Sequence, residues 1–117
     1  MEKRNSYALG VVAVIVLLAA YFALQPRGPG RYDAFAQCLT DNSDAMYGTL
    51  WCSHCNDQKN LFGSSFSYVD FTDCDASVSV CTEHGIEAYP TWIINGVKYT
   101  GTKSLEELSA ISGCSLG

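Results

Sequence analysis

After residue 31 the chain is short of positive charge. Residues 32–117 hold three Lys/Arg against eleven Asp/Glu, a formal charge of −8. Nucleic-acid binding draws on Lys/Arg contacts to phosphate, so this deficit argues against it. The acidic balance is read instead as a solubilising surface. Histidine is scarce as well, with His54 and His84 the only two. A structural zinc site takes four ligands, usually as two close pairs. Cys52 and Cys55 make one pair, but Cys74 and Cys81 are a poor second, and neither histidine completes a known spacing. There are no internal repeats and no low-complexity run, so 117 residues leave room for one domain and something small.

Charge is missing altogether from residues 7–24, "YALGVVAVIVLLAAYFAL". Such a run in a helix covers roughly 27 Å at about 1.5 Å per residue, close to the hydrocarbon core of a bilayer. It reads as a membrane segment or a signal peptide and is kept out of the fold argument. The run is long, bulky Tyr21, Phe22 and Leu24 crowd its end, and no clear Ala-x-Ala follows. An uncleaved anchor is therefore preferred to a signal peptide. Lys3 and Arg4 before it and Arg27 and Arg31 after it nearly balance the positive-inside rule. A short basic tail ahead of a first span usually stays inside, which places residues 32–117 on the extracytoplasmic side of a cell membrane. The six cysteines, all within residues 38–114, agree with an oxidising compartment. The expected organisation is a short tail (1–6), an anchor (7–24), a Pro/Gly linker "QPRGPGR" (25–31) and one domain (32–117).

Within that domain helical and strand patterns alternate. Helices are expected over 32–41, 52–62, 75–85 and 104–112, and strands over 45–51, 65–72, 90–95 and 97–100. Asn95-Gly96 is a strong hairpin signal between the last two strands. Ser104, with Glu107 three residues on, has the capping-box spacing. Alternation of this kind implies an α/β fold, a mixed sheet of about four strands covered on both faces.

The chemistry centres on "YGTLWCSHCNDQKNLFG", residues 47–63. In a helix, residues i and i+3 lie on one face with β-carbons roughly 5–6 Å apart, so the sulfurs of Cys52 and Cys55 can bond after a modest adjustment. Cys52 at the helix start meets unsatisfied N–H groups that favour a thiolate, which makes it the attacking sulfur. Cys55, one turn deeper, becomes the resolving thiol. A protonated His54 between them would favour the thiolate further. A stabilised thiolate makes the disulfide the stronger oxidant. The alternatives are a plain short staple and a metal-binding or delivery module built on Cys52, His54 and Cys55. Tyr89-Pro90 is the second signal: an X-Pro bond at a strand start can be trans at an edge or cis. A cis bond would present the Tyr89 backbone beside the redox pair, where a substrate chain could add as a strand.

"WCSHC" after a strand, then "YPTWIING", a hairpin and a final amphipathic helix resemble the thioredoxin superfamily over about residues 43–113. "FAQCL", "YPTWIINGVKYTG" and "SLEELSAISGC" extend the resemblance to the thioredoxin-like domain fused to bacterial and plant vitamin K epoxide reductase homologues. The resemblance implies a three-layer thioredoxin-like sandwich. It implies Cys52 as nucleophile, Cys55 as resolving cysteine and Pro90 as the cis-proline, with Trp51, Ser53, His54 and Tyr89 supporting. It implies exchange of disulfides with protein substrates, without a bound cofactor or metal. One span replaces the helical bundle of those fusions, so a quinone-reducing partner would be a separate membrane protein. Ser53-His54 between the cysteines, rather than Gly-Pro, and Met46 six residues before Cys52, where classical thioredoxin has a buried Asp, lean toward an oxidant. Cys38 and Cys114 are expected to pair, with free thiols as the alternative. In a continuous helix Cys74 and Cys81 would lie roughly 10 Å apart, beyond the ~7 Å limit for a bridge. They can pair only if the segment bends, as a staple (preferred) or as a relay toward Cys52 and Cys55. The function expected is a disulfide oxidase of exported proteins, with reduction or isomerisation as the opposite direction.

Overall fold

The computed structural model describes residues 2–25 and 30–117. The expected linker therefore falls, over residues 26–29, outside the described residues. Helix α1 runs Glu2–Leu24 and takes in the basic residues ahead of the apolar run. Its window Lys3–Leu24 has mean hydropathy 2.5 and is long and apolar enough to cross a membrane.

The domain packs helices on both faces of a four-stranded mixed sheet. Helix α2 (Asp33–Asp41) buries Phe35, Ala36 and Leu39 at helical spacing. Strand β1 is Ala45–Gly48, followed by helix α3 (Ser53–Phe62), a 3₁₀ segment (Gly63–Tyr68), strand β2 (Asp70–Asp73) and helix α4 (Val78–Glu83). Strands β3 (Thr91–Ile94) and β4 (Val97–Thr100) form a hairpin, and helix α5 (Leu105–Ser112) closes the chain. The sheet order is β2-β1-β3-β4. β1 and β2 are parallel, and β1–β3 and β3–β4 are antiparallel.

Side chains alternate across the strands and split the core in two. Met46, Trp92 and Ile94 face a large apolar cluster covered by α2, α3 and α5. Ala45, Tyr47 and Ile93 face a smaller one closed by Cys74, Cys81 and Ile86. Stacked rings build the larger cluster: Phe62 lies 5.9 Å from Phe35 and 6.0 Å from Trp92.

Three expected boundaries move, each for a local reason. β1 ends at Gly48 rather than residue 51, because Leu50 and Trp51 turn out of the sheet and are exposed. The expected strand 65–72 is a 3₁₀ segment followed by β2. Phe66 there continues the helical spacing from Phe62, with ring centroids 5.9 Å apart, and the chain reverses before pairing with β1. The helix expected over 75–85 forms only from Val78 to Glu83, and the irregular start brings Cys74 back toward Cys81.

The local signals elsewhere act as their chemistry requires. Asn95 and Gly96 both take positive φ, 51° and 78°, the backbone of a tight hairpin turn that favours these two residues. Buried Asp44 accepts the Asn95 N–H at 3.0 Å and ties that turn to β1. Ser104 Oγ accepts the Glu107 N–H at 3.1 Å and caps α5.

Candidate functional site

The C-terminal end of β1 leads through Thr49–Trp51 to Cys52, which is the N-cap of α3. Cys52 has extended backbone (φ −74°, ψ 120°), and its Sγ accepts the Cys55 N–H at 3.2 Å. One of the unpaired donors of the helix start is thus aimed at this sulfur, together with the positive end of the helix dipole. Cys52 is at the edge of burial, 8% exposed, whereas Cys55 is fully buried. Both are free thiols. The remaining four cysteines are closed in two disulfides, Cys38–Cys114 and Cys74–Cys81, with Cα atoms 5.9 and 5.6 Å apart.

Gly48 makes room for the inner thiol. A Cβ at this position would stand 2.6 Å from Cys55 Sγ and 3.4 Å from the Phe71 ring. Burial pushes the Cys55 thiol up to about 11, and its hydrogen bond with Cys52 adds to the rise. A hydrogen bond from the backbone of Thr49 and the charge of Lys59 act in the opposite sense.

Of the other sequence-derived residues, Trp51, Ser53 and His54 flank Cys52 in the chain, and Tyr89 meets Trp51. Trp51 is exposed, donates its Nε1–H to Asp75 Oδ2 at 2.6 Å, and meets Tyr89 edge-on at 6.3 Å. The Tyr89–Pro90 bond is cis, and Pro90 is buried immediately before β3. Ser53 is the exposed first residue of α3. The His54 ring points outward to Asp57, 3.8 Å away between two exposed side chains, an ion pair worth little. The His54 carbonyl accepts the Thr102 hydroxyl at 3.0 Å. Among the described residues, no three His, Cys, Asp or Glu side chains are grouped to hold a metal ion. His84 instead lies against the Tyr47 ring at 5.3 Å, on the opposite face of the sheet.

Sequence reasoning missed Gln58, which is fully buried in α3. Its Oε1 accepts the Trp92 indole N–H at 3.0 Å and the Lys103 N–H at 2.7 Å, and its Nε2 donates to the Lys103 carbonyl at 2.9 Å. The redox helix is thereby pinned to β3 and to the loop before α5. The signal was available: Cys55, Gln58 and Phe62 recur at helical spacing, which places a polar residue in the apolar stripe. Asp75 and Lys59 were also missed, since only the folded chain brings them to Trp51 and to the Cys55 pocket.

With that geometry in view, comparison with known proteins becomes informative. No family model matches the chain. It is 35% identical over 92 residues to thiol-disulfide oxidoreductase LTO1 of Arabidopsis thaliana, covering 71% of this chain and 24% of that protein. It is 34% identical over 73 residues to protein disulfide isomerase-like 2-2 of Oryza sativa subsp. japonica, covering 50% of this chain and 20% of the relative. It is 36% identical over 73 residues to protein disulfide-isomerase 5-1 of Arabidopsis thaliana, covering 51% and 50%. The fold is thioredoxin-like. The chain spans a quarter of the first relative, a fifth of the second and half of the third.

Proposed function

We propose that the chain is a membrane-anchored thiol–disulfide oxidoreductase, held by residues 7–24 of α1, with residues 32–117 on the extracytoplasmic side. Its substrates are thiols and disulfides of exported proteins. One observation carries the reading. Four of six cysteines are closed in disulfides, and the remaining two face each other across the first turn of α3. Cys52 keeps a small exposed area, 8%, and Cys55 has none.

In the oxidising direction the pair starts as a disulfide. A substrate thiolate attacks Cys52 Sγ, a mixed disulfide forms, and the Cys52–Cys55 bond breaks with Cys55 leaving as thiolate and taking a proton. A second substrate thiolate attacks the substrate sulfur of the mixed disulfide. The substrate disulfide forms and Cys52 leaves as thiolate, steadied by the Cys55 N–H and the helix terminus. Two electrons then rest on the pair. A separate membrane partner of vitamin K epoxide reductase type, linked to quinone, would remove them. Trp51, Tyr89 and Pro90 frame the approach to Cys52.

The relatives named as disulfide isomerases favour a second reading, in which the same pair reduces or isomerises disulfides. The reduction potential of the Cys52–Cys55 pair, measured in glutathione buffers with Cys52→Ala as control, separates the two. A value near about −120 mV, in the range of strong periplasmic oxidants, is expected for disulfide donation. A value near about −270 mV, where thioredoxin lies, assigns the reducing direction and requires an electron donor. Absence of any titrating pair overturns both.

A further inference from the structure

Attack by Cys55 on a mixed disulfide at Cys52 requires its thiolate, and the pocket holds that thiol protonated. Burial pushes that thiol up to about 11, so its thiolate is scarce at neutral pH. The groups facing Cys55 are few. Cys52 accepts a backbone N–H above it. From β1 come Gly48 and the backbone of Thr49, with Met46 in the same apolar cluster, none of them ionisable. From β2 come Phe71, whose edge meets the same point above Gly48, and Asp73, the sheet partner of Gly48. Asp73 Oδ1 is already engaged by the Asp75 N–H at 3.0 Å. Trp92 of β3 belongs to the same apolar cluster and is bound to Gln58. The buried carboxylate of Asp44 holds the hairpin turn instead. On α3 itself His54 and Asp57 point to solvent.

One cation remains. Lys59 lies four residues after Cys55, on the same face of α3. Its ammonium sits 4.2 Å from the centre of the Phe71 ring and 5.6 Å from that of Phe66, so its stem folds inward rather than into solvent. We infer that Lys59 is a positioning residue for the resolving step: held over Phe71, its charge stabilises the Cys55 thiolate as that sulfur attacks Cys52. In the step, Cys55 S⁻ bonds to Cys52 Sγ, the bond from Cys52 to the substrate sulfur breaks, and the substrate leaves as thiolate. The sulfur of Cys55 is oxidised and that of the substrate reduced, with no further reactant. This role rests on the redox reading of the pair: attack by Cys55 belongs to its reducing or isomerising direction, and in the oxidising direction the same charge steadies Cys55 as the leaving thiolate. Its electrostatic part can be measured apart from either.

The experiment uses the full chain in mild detergent. In a Cys52→Ser background Cys55 is the sole free thiol, and its reactivity is followed at about pH 7 by the rate of alkylation with iodoacetamide. Lys59→Met keeps an apolar stem over Phe71 and removes the charge, while Lys59→Arg keeps the charge. The expected result is Cys55 alkylation slowed in Lys59→Met and restored in Lys59→Arg. Release of a nitrothiobenzoate leaving group from Cys52, in protein with the wild-type pair, should slow roughly three- to tenfold at neutral pH in Lys59→Met alone. An unchanged alkylation rate in Lys59→Met, or an equal slowing in Lys59→Arg, overturns the role. If Cys52 takes up no nitrothiobenzoate even with Lys59 intact, the redox reading fails, and the Cys55 alkylation rate still decides for or against Lys59.

Discussion

On one face of the sheet Cys52 and Cys55 are free thiols set into a broad apolar cluster; on the other, Cys74 and Cys81 are bonded and themselves form much of a small one. The two pairs differ in what surrounds them. Around Cys55 the rings of Phe62, Phe71 and Trp92 and the stripe of α3 supply packing, so this face does not need the pair as a crosslink. Behind Ala45 and Tyr47 there is one short helix and a loop, too little to close the face by burial alone. The covalent bond there stands in for packing, as expected for a small domain with limited apolar area. Chain entropy reinforces the contrast. A bridge across Cys52–Cys55 would restrain the unfolded chain least, and Cys38–Cys114, 76 residues apart, restrains it most. The pair that is cheapest to open is also the one built into a helix start.

The contrast can be broken from either side. The largest stability effect should come from replacing Cys38 and Cys114 with Ala. Loss of that closure is expected to lower stability by about 4–5 kcal/mol on the loop-entropy model, read as a fall in the urea midpoint. Replacing Cys74 and Cys81 with Ala should cost about 2.5 kcal/mol on the same model and leave the potential of Cys52–Cys55 in place. A large change in that potential would mean that the second pair exchanges electrons rather than acting as a staple. Gly48→Ala tests the crowded face. The added methyl group meets Cys55 Sγ, so a loss of about 1–3 kcal/mol is expected, together with altered Cys55 reactivity toward alkylating agents.

The remaining effect concerns pH. The folded chain binds the Cys55 proton more tightly than the unfolded chain, with the thiol raised from 9.0 to about 11. The stability this contributes is fully present below pH 9 and is lost as pH rises toward 11. Reduced protein should therefore weaken over that window relative to Cys55→Ala, as followed by thermal unfolding at stepped pH. A flat difference would place Cys55 in contact with solvent.

Much of this was legible in the chain before folding. Local chemistry marked the start of α3 at Cys52, the Asn95-Gly96 turn and the Ser104 cap, because each depends on residues within a few positions of one another. Trp51 and Leu50 misled the reading of β1, since their strand preference holds only on a half-buried sheet and both lie outside it. Phe66 misled the reading of β2 for the converse reason, because its partner is Phe62 one helical turn away. For Cys74 and Cys81 the spacing stated the condition for pairing, a bend before the helix, but not whether the bend would form.

What the sequence by itself determined was the order of elements, the α/β alternation, the apolar span and the two cysteines at a helix start. These follow from periodicity, capping and turn preferences, which act over a few residues. What only the tertiary structure decided was which groups meet across the sheet. Gly48 under Cys55, Gln58 between Trp92 and Lys103, Asp75 on Trp51 and Lys59 over Phe71 are each contacts between separate elements. Contacts of that kind depend on register and crossover, which no short window of sequence encodes. They also set the electrostatics of Cys55, because burial and neighbouring charge are properties of the packed chain.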